Sequence, residues 1–298
     1  MAGIRGTETS MQRPEVRAFF DEATHTFSYV AWDAQARRAA VLDSVLDYDA
    51  ASGRTRHASA DALVAFVRAQ GLRVEWVIDT HLHADHLSAA QYVRQQLGGT
   101  LAIGEHVRDV QRTFGELFNA GAEFARDGSQ FDHLFRDGEI YRVGGIEARA
   151  LHTPGHTPAC MTHVIGDAAF VGDTLFAPDY GSARCDFPGG DARTLYRSIR
   201  KIFALPDATR IFLCHDYKPA GRDVYVNETT VGAERSGNIH VREGIGEDEF
   251  VAMRQARDAQ LAVPALLLPA VQVNMRAGQL PPADDNGVRY LKIPLDAL

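Results

Sequence analysis

Four potential metal ligands within six residues constrain the fold of this chain more than any other feature of its sequence. The run THLHADH at residues 80–86 supplies them, namely His81, His83, Asp85 and His86. The residues before it, 73–79, predict a strand, and those after it, 88–97, predict a helix. A turn at a strand end can bring imidazoles and a carboxylate into one small volume, and these groups bind zinc and iron(II). We therefore predict a metal site at a sheet edge, in preference to surface histidines clustered by chance.

Three later segments repeat this arrangement, each with a potential ligand soon after an apparent strand. The ligands are His156 in TPGHT (153–157), Asp173 in VGDTL (171–175) and His215 in LCHDY (213–217). Each segment is weak evidence alone, because a histidine after a glycine is more often an ordinary loop residue. Together they favour one site, since strand ends in α/β proteins converge on one rim of the sheet.

The succession of predicted elements favours an α/β fold built in layers. Predicted strands at 26–33, 38–45, 73–79 and 101–103 alternate with helices at 60–70 and 88–97, glycine-punctuated runs at 139–176 predict hairpins, and 191–205 predicts an amphipathic helix. We expect a flexible N-terminus over residues 1–15 and one domain over 16–298. Within that domain we expect a helical insertion at about 105–135 and a C-terminal extension at about 219–298, with extended structure in its Pro-rich end from residue 264.

Composition narrows the expected partners and compartment. Of 298 residues, 45% are hydrophobic and 23% are charged, which is typical of a globular protein. The longest apolar run, at 261–271, contains two prolines and falls short of the roughly 20 residues of a membrane span. With a net charge of −8, a surface for nucleic acid or anionic membrane is not expected. Three cysteines and no apolar secretory signal in the first 20 residues indicate a cytoplasmic protein with reduced thiols.

Taken in order, HLHADH, TPGHT, GDT and CHD resemble the motifs of the metallo-β-lactamase superfamily over roughly residues 27–217. Asp43, in VLDSVLD, matches the acidic residue that this family carries at the end of an early strand. The resemblance implies a four-layer αββα sandwich with the metal at the rim between two sheets. It does not by itself settle function, because the superfamily contains many chemistries.

Other segments resemble the persulfide dioxygenase (sulfur dioxygenase) branch of this superfamily, in a bacterial subtype. They are ARCDF at 183–187, TLYRSIRKIF at 194–203, HDY at 215–217 and NMRAG at 274–278. Members of that branch oxidise glutathione persulfide with O2 to sulfite and glutathione, using one iron(II) per chain. The resemblance implies that the iron ligands are His81, His156 and Asp173, a set that leaves three coordination positions open. It also implies a homodimer, and supporting residues that orient the ligands, which are His83, Asp85, His86 and His215.

The same seven candidates are also the full set used by two-metal hydrolases of the superfamily. Spacing alone permits a dinuclear zinc site with a bridging hydroxide, which would make the chain a glyoxalase II-like thioesterase. A degenerate, non-enzymatic member is less favoured, because no candidate ligand is missing. The identity and number of the metal ions stay open at this point, and the later motifs favour the iron oxygenase.

Two further residues are candidates for substrate binding. The Arg184 guanidinium could bind one of the two carboxylates of glutathione bidentately, or it could pair with Asp186 at the surface. Tyr217 directly follows the His-Asp pair and could donate its hydroxyl to the substrate, or it could be an ordinary half-buried tyrosine. Cys185 is not expected to act in catalysis, because a reactive thiol needs a lowered pKa for which the sequence shows no cause.

Overall fold

The computed structural model of the chain describes residues 13–297. The predicted flexible N-terminus therefore lies outside the described residues as far as position 12, and Glu15 already belongs to the first strand. The strands are β1 (Glu15–Asp21), β2 (Thr26–Asp33), β3 (Arg38–Leu42), β4 (Val45–Asp49), β5 (Arg54–Arg56), β6 (Arg73–Ile78), β7 (Leu87–Ser88), β8 (Thr100–Gly104), β9 (His133–Phe135), β10 (Ile140–Val143), β11 (Ile146–His152), β12 (Met161–Ile165), β13 (Ala168–Phe170), β14 (Arg210–Phe212) and β15 (Glu228–Thr230). The helices are α1 (Ala58–Ala69), α2 (Ala90–Leu97), α3 (Val107–Leu117), α4 (Ala192–Phe203), α5 (Val231–Gly237), α6 (Glu247–Asp258) and α7 (Leu267–Asn274).

Two six-stranded sheets form the centre of the molecule. The first has the strand order β1-β2-β3-β6-β8-β9, and the second has the order β10-β11-β12-β13-β14-β15. In the first sheet β3, β6, β8 and β9 are parallel, and in the second β13 and β14 are parallel. The other neighbouring pairs in both sheets are antiparallel. A small third sheet has the strand order β5-β4-β7. Along the chain, β4 and β5 precede α1, and β7 follows the predicted metal turn at residues 80–86.

Three apolar clusters separate the sheets and helices into layers. Neighbouring residues of one strand face opposite clusters, as the two-residue period of a strand requires: Val41 packs with α1, α2 and α3, and Leu42 packs between the sheets. Leu42 shares its cluster with Phe170 of the second sheet. The other face of the second sheet packs on α4 and α6 through Leu195 and Phe250. The resulting order of helix, sheet, sheet and helix confirms the predicted four-layer sandwich.

Helix α4 confirms the predicted amphipathic helix and positions one of the candidate ligands. Asp191 caps its first turn by accepting a hydrogen bond from Thr194 N at 2.7 Å. Burial of an apolar side chain such as Leu195 stabilises the fold by about 1.5–3 kcal/mol. A Cβ at Gly155, whose φ is +135°, would lie 2.4 Å from the Leu195 backbone, so only glycine permits this close approach. The turn that carries His156 is thereby held against α4.

Residues 105–135, predicted to be a helical insertion, are helical only in α3. His133–Phe135 form β9, which pairs in parallel with β8 and completes the first sheet. Parallel neighbours need a crossover connection, and α3 lies in that connection. The strand was missed because three residues are too short to show the alternation of a strand.

The predicted C-terminal extension also differs from expectation. β15 pairs with β14 as the last strand of the second sheet, and the unpredicted α5 follows it directly. α7 occupies part of the Pro-rich end that was expected to be extended, so that expectation is wrong for Leu267–Asn274. Pro269 lies in the first turn of α7, where a backbone N–H has no partner within the helix, and the helix tolerates it there. Among residues 13–297, no helix combines the length and apolarity needed to cross a membrane.

Candidate metal centre

The carboxyl ends of several strands meet at one rim of the sandwich. In the first sheet, the parallel strands β3 and β6 end just before Asp43 and the turn at 80–86. In the second sheet, β11, β13 and β14 end shortly before His156, Asp173 and His215. β13 and β14 are parallel, and β11 runs in the same direction because β12 is antiparallel to both β11 and β13. Strand direction therefore brings the candidate ligands together, as predicted.

His81, His156 and Asp173 form a compact cluster of buried side chains. One donor atom from each residue lies within 4.8 Å of the other two. Asp173 Oδ2 is 3.9 Å from His81 Nε2 and 3.6 Å from His156 Nε2. Two imidazoles and one carboxylate, each from a different loop, thus surround a point that a divalent cation could occupy.

Hydrogen bonds within the protein determine which ring nitrogen of each histidine is free. His156 Nδ1 lies 2.8 Å from the carbonyl oxygen of Arg184, which can only accept, so Nδ1 carries the proton and Nε2 keeps its lone pair. His81 Nδ1 lies 3.1 Å from Thr80 Oγ1, which in turn donates its own proton to Asp43 Oδ2 at 3.0 Å. His81 therefore also donates through Nδ1. Metal-binding histidines are oriented by hydrogen bonds of this kind.

The cluster fits a divalent metal ion chemically. His81 Nε2 is buried without a hydrogen-bond partner among residues 13–297, and such an atom costs free energy unless something binds it. Burial lowers the pKa of His81 and His83 well below the usual value, so both imidazoles are neutral at pH 7. Neutral imidazole is the form that binds a metal. The cluster thus combines the carboxylate of Asp173 with two imidazole nitrogens, those of His81 and His156.

A second set of donors lies beside the first, formed by the predicted supporting residues His83, Asp85, His86 and His215. His215 Nε2 is 3.0 Å from Asp85 Oδ2 and 3.3 Å from Asp173 Oδ1. Burial opposes a charge on His215, but the charges of Asp173 and Asp85 outweigh it and raise its pKa. His83 Nδ1 and His86 Nε2 have no hydrogen-bond partner within the described range 13–297. His215 Nε2 likewise forms no hydrogen bond with these residues, despite its close contact with Asp85. This set therefore has the donors for a second metal ion.

Asp43 links the first strands of the site to the metal turn. Its φ of +51° bends the chain between β3 and β4, where the sequence predicted one continuous strand over 38–45. Its buried carboxylate accepts from Thr80 N at 2.7 Å and from His83 Nε2 at 2.9 Å. The second bond leaves Nδ1 of His83 as the free nitrogen. Asp43 therefore positions the metal turn without being close enough to belong to the first cluster.

Asn274, at the end of α7, is a site residue that sequence reasoning did not identify. Its Nδ2 donates to the carbonyl oxygens of His83 and His86, both at 2.8 Å, and its Oδ1 accepts from Ser88 N at 2.7 Å. The sequence analysis noticed NMRAG as a motif, but no local pattern shows contact with a turn 188 residues away. The C-terminal helix therefore holds the backbone of the metal turn.

A pocket of about 380 Å³ adjoins the cluster, and Asp85, His156 and Asp173 are part of its lining. Both predicted substrate-binding residues, Arg184 and Tyr217, also line it. The fold thus brings the metal and substrate candidates to one cavity of the size that binds small molecules.

Arg184 is already paired within the protein. Its Nε and Nη2 each lie 2.5 Å from the Asp186 carboxylate, and its Nη1 donates to the Ala262 carbonyl oxygen at 2.7 Å. Three of the five N–H groups of the guanidinium are therefore in use. This geometry matches the alternative named from the sequence, a pair with Asp186, and a role in substrate binding stays a prediction.

Tyr217 lines this pocket, whereas Cys185 is not among its lining residues. Burial, followed by the charges of Asp85 and Asp173, raises the pKa of Tyr217 well above its usual value, so its hydroxyl stays a proton donor. Burial likewise raises the pKa of Cys185, which keeps it a thiol rather than a nucleophilic thiolate. Of the two, only Tyr217 lines the pocket and has a hydroxyl that could donate to a substrate, and this role stays a prediction.

Residues 22–215 match the family model of the metallo-beta-lactamase superfamily. The chain belongs to this superfamily. Among its members, a probable metallo-hydrolase of Burkholderia pseudomallei is 61% identical over 95% of this chain and 99% of that protein. Glyoxylase B2 of Dictyostelium discoideum is 45% identical over 96% of this chain and 98% of its own length. The mitochondrial persulfide dioxygenase ETHE1 of Homo sapiens is 32% identical over 88% of both chains. Within this superfamily, the relatives of the chain carry names that refer to different reactions, so the names alone do not identify one reaction for it.

Proposed function

We propose that this chain is a persulfide dioxygenase that holds one iron(II) through His81, His156 and Asp173. Its substrate would be glutathione persulfide or a related thiol persulfide, which reacts with O2 and water to give the thiol and sulfite. The observation that carries the proposal is the compact set of two histidines and one aspartate, with both histidines oriented by donation through Nδ1. This set is typical of iron(II) oxygenases, because it leaves three positions for substrate and O2. The similarity to a named persulfide dioxygenase supports the same reaction.

The residues of the chain would position the reactants. Iron(II), when bound, would supply the redox chemistry between O2 and the persulfide sulfur. Tyr217, a protonated phenol on the pocket wall, would donate a hydrogen bond to the substrate. Phe176 and Leu266 line the same pocket and would limit the entry of water to the reacting sulfur. The protein would thus contribute orientation and a protected cavity rather than a proton-transfer base.

A dinuclear zinc thioesterase is the second candidate function. It is favoured by the unpartnered His83 Nδ1 and His86 Nε2, which could complete a second metal position with His215. The similarity to a protein named Glyoxylase B2 supports it as well. The two functions differ in the number of metal ions that each chain must hold.

Replacing His215 by alanine separates the two candidates. In a mononuclear site, His215 only pairs with Asp85 and Asp173, so His215→Ala should keep about one iron per chain and lose roughly 10- to 100-fold in activity. Metal analysis of the purified variant measures this, with circular dichroism to confirm that the protein is folded. A wild-type protein with two zinc ions per chain, of which His215→Ala loses one, would instead establish the hydrolase.

A further inference from the structure

The wall of the pocket carries three arginines, and two of them are neutralised by neighbouring carboxylates. Arg184 pairs with Asp186, as described above. Arg254 is almost fully buried, pairs with Asp258 at 2.6 Å and donates to the Ser182 carbonyl oxygen at 3.1 Å. Neither guanidinium can bind a substrate anion with its full charge, because each already faces a carboxylate.

Arg257 differs from both of them. It lies in the last turn of α6 and lines the same pocket, and its guanidinium makes no hydrogen bond or ion pair with any other residue of the range 13–297. Its side chain is exposed, and no carboxylate among the described residues pairs with it. The chain carries a net charge of −8, so an anionic substrate needs a local cation of this kind to overcome the general field.

Two tyrosines of the pocket add hydrogen-bond donors near this cation. Tyr180 and Tyr217 have their ring centroids 5.3 Å apart. Unlike Tyr196, whose hydroxyl donates to the Ile245 carbonyl oxygen at 2.9 Å, neither forms a hydroxyl hydrogen bond with the described residues. Burial raises the pKa of Tyr180, so its hydroxyl stays a proton donor, and Tyr180 lines the same pocket as Arg257.

The rest of the pocket connects this cation to the metal cluster. His156 and Asp173 line the pocket together with Arg257, and apolar residues that follow α6, among them Leu261 and Pro264, line it as well. A ligand that fills the pocket can therefore present a sulfur to the metal cluster and an anionic group to the arginine. A peptide-like thiol with a carboxylate remote from its sulfur has this arrangement.

We propose that Arg257, assisted by the Tyr180 hydroxyl, binds a carboxylate of the thiol carrier. Arg184 would then serve to hold the loop that orients His156, through its carbonyl oxygen and its pair with Asp186. The identity of the carrier as a persulfide donor rests on the proposed function, but the carboxylate site does not. It can be tested by binding alone.

The test measures binding of reduced glutathione and of glutathione diethyl ester to the metal-loaded protein by calorimetry. Wild-type protein should bind glutathione about 10- to 100-fold more tightly than the ester, since a charge-assisted hydrogen bond is lost with the carboxylate charges. Arg257→Gln should remove most of that difference, and Arg257→Lys should recover part of it. Arg242→Gln is the matched control, because Arg242 is exposed and does not line the pocket. Its affinities should equal those of the wild type.

Three outcomes would overturn the assignment. They are equal affinity of the wild type for glutathione and the ester, an Arg257→Gln protein that still distinguishes them, and an Arg184→Ala protein that alone loses the distinction. If glutathione binding depends on Arg257 but no persulfide is oxidised, the carboxylate site stands and the proposed reaction fails. If glutathione persulfide is oxidised with an unchanged KM in Arg257→Gln, the reaction stands and the carboxylate site fails.

Discussion

Replacing His156 by alanine should empty the metal site and abolish most of the activity. His156 is one of three ligands in the proposed set, and two protein donors are too few to hold iron(II) in competition with water. The loss should exceed the 10- to 100-fold that is typical of residues that only orient ligands. Metal analysis should find less than about a tenth of the wild-type iron, with the far-ultraviolet circular dichroism unchanged. His81→Ala should behave in the same way.

His57 offers the matched control, because it is an exposed histidine at the start of α1, outside both donor sets. His57→Ala should keep the wild-type metal content. If His156→Ala kept its full iron content, His156 would not be a ligand. The proposed facial set of two histidines and one aspartate would then be wrong.

Replacing Asn274 by alanine should cost both stability and metal affinity. The change leaves two carbonyl oxygens and one N–H of the metal turn without partners, since Asn274 satisfies those of His83, His86 and Ser88. Each buried group costs about 1–3 kcal/mol, and single substitutions rarely exceed about 5 kcal/mol, so the free energy of unfolding should fall by roughly 3–5 kcal/mol. In a chain of this size that corresponds to about 6–20 °C in Tm. Because the turn carries His81, metal affinity should fall about 10- to 100-fold as well.

Gln272 on the same helix is a close control for that variant. It is also buried, but its side chain bonds with Leu268 and with both backbone groups of Lys292, away from the metal turn. Gln272→Ala should lower Tm while leaving metal affinity near that of the wild type. Comparable metal loss in the two variants would show that Asn274 contributes only general stability, in contradiction to its proposed role.

The parts of the site that could be predicted are those that follow from strand direction. His81, His156, Asp173 and His215 each follow an apolar run, and parallel strands end at a shared edge, so their convergence required no knowledge of side-chain contacts. Asn274 could not be predicted in this way. Its partners lie 186 to 191 residues earlier in the chain, and a polar residue at a helix end has no local sign of such a contact.

The roles of the arginines also depended on tertiary structure. The sequence named both possibilities for Arg184, and only the fold showed its guanidinium on Asp186 and Ala262. Arg257 resembles any basic residue in the last turn of a helix, where a cation is favoured by the helix dipole. Arg257 becomes a candidate for substrate binding only in the folded protein, where it and Tyr180 line the same pocket.

Oxygen uptake with glutathione persulfide is the most direct test of the proposed reaction. Protein loaded with iron(II) should consume one O2 and form one sulfite for each persulfide, as the balanced reaction requires, and protein loaded with zinc should be inactive. The same preparations should not hydrolyse a glutathione thioester at a comparable rate. Thioester hydrolysis by the zinc-loaded protein, with no oxygen uptake by the iron-loaded protein, would contradict the dioxygenase and establish the hydrolase instead.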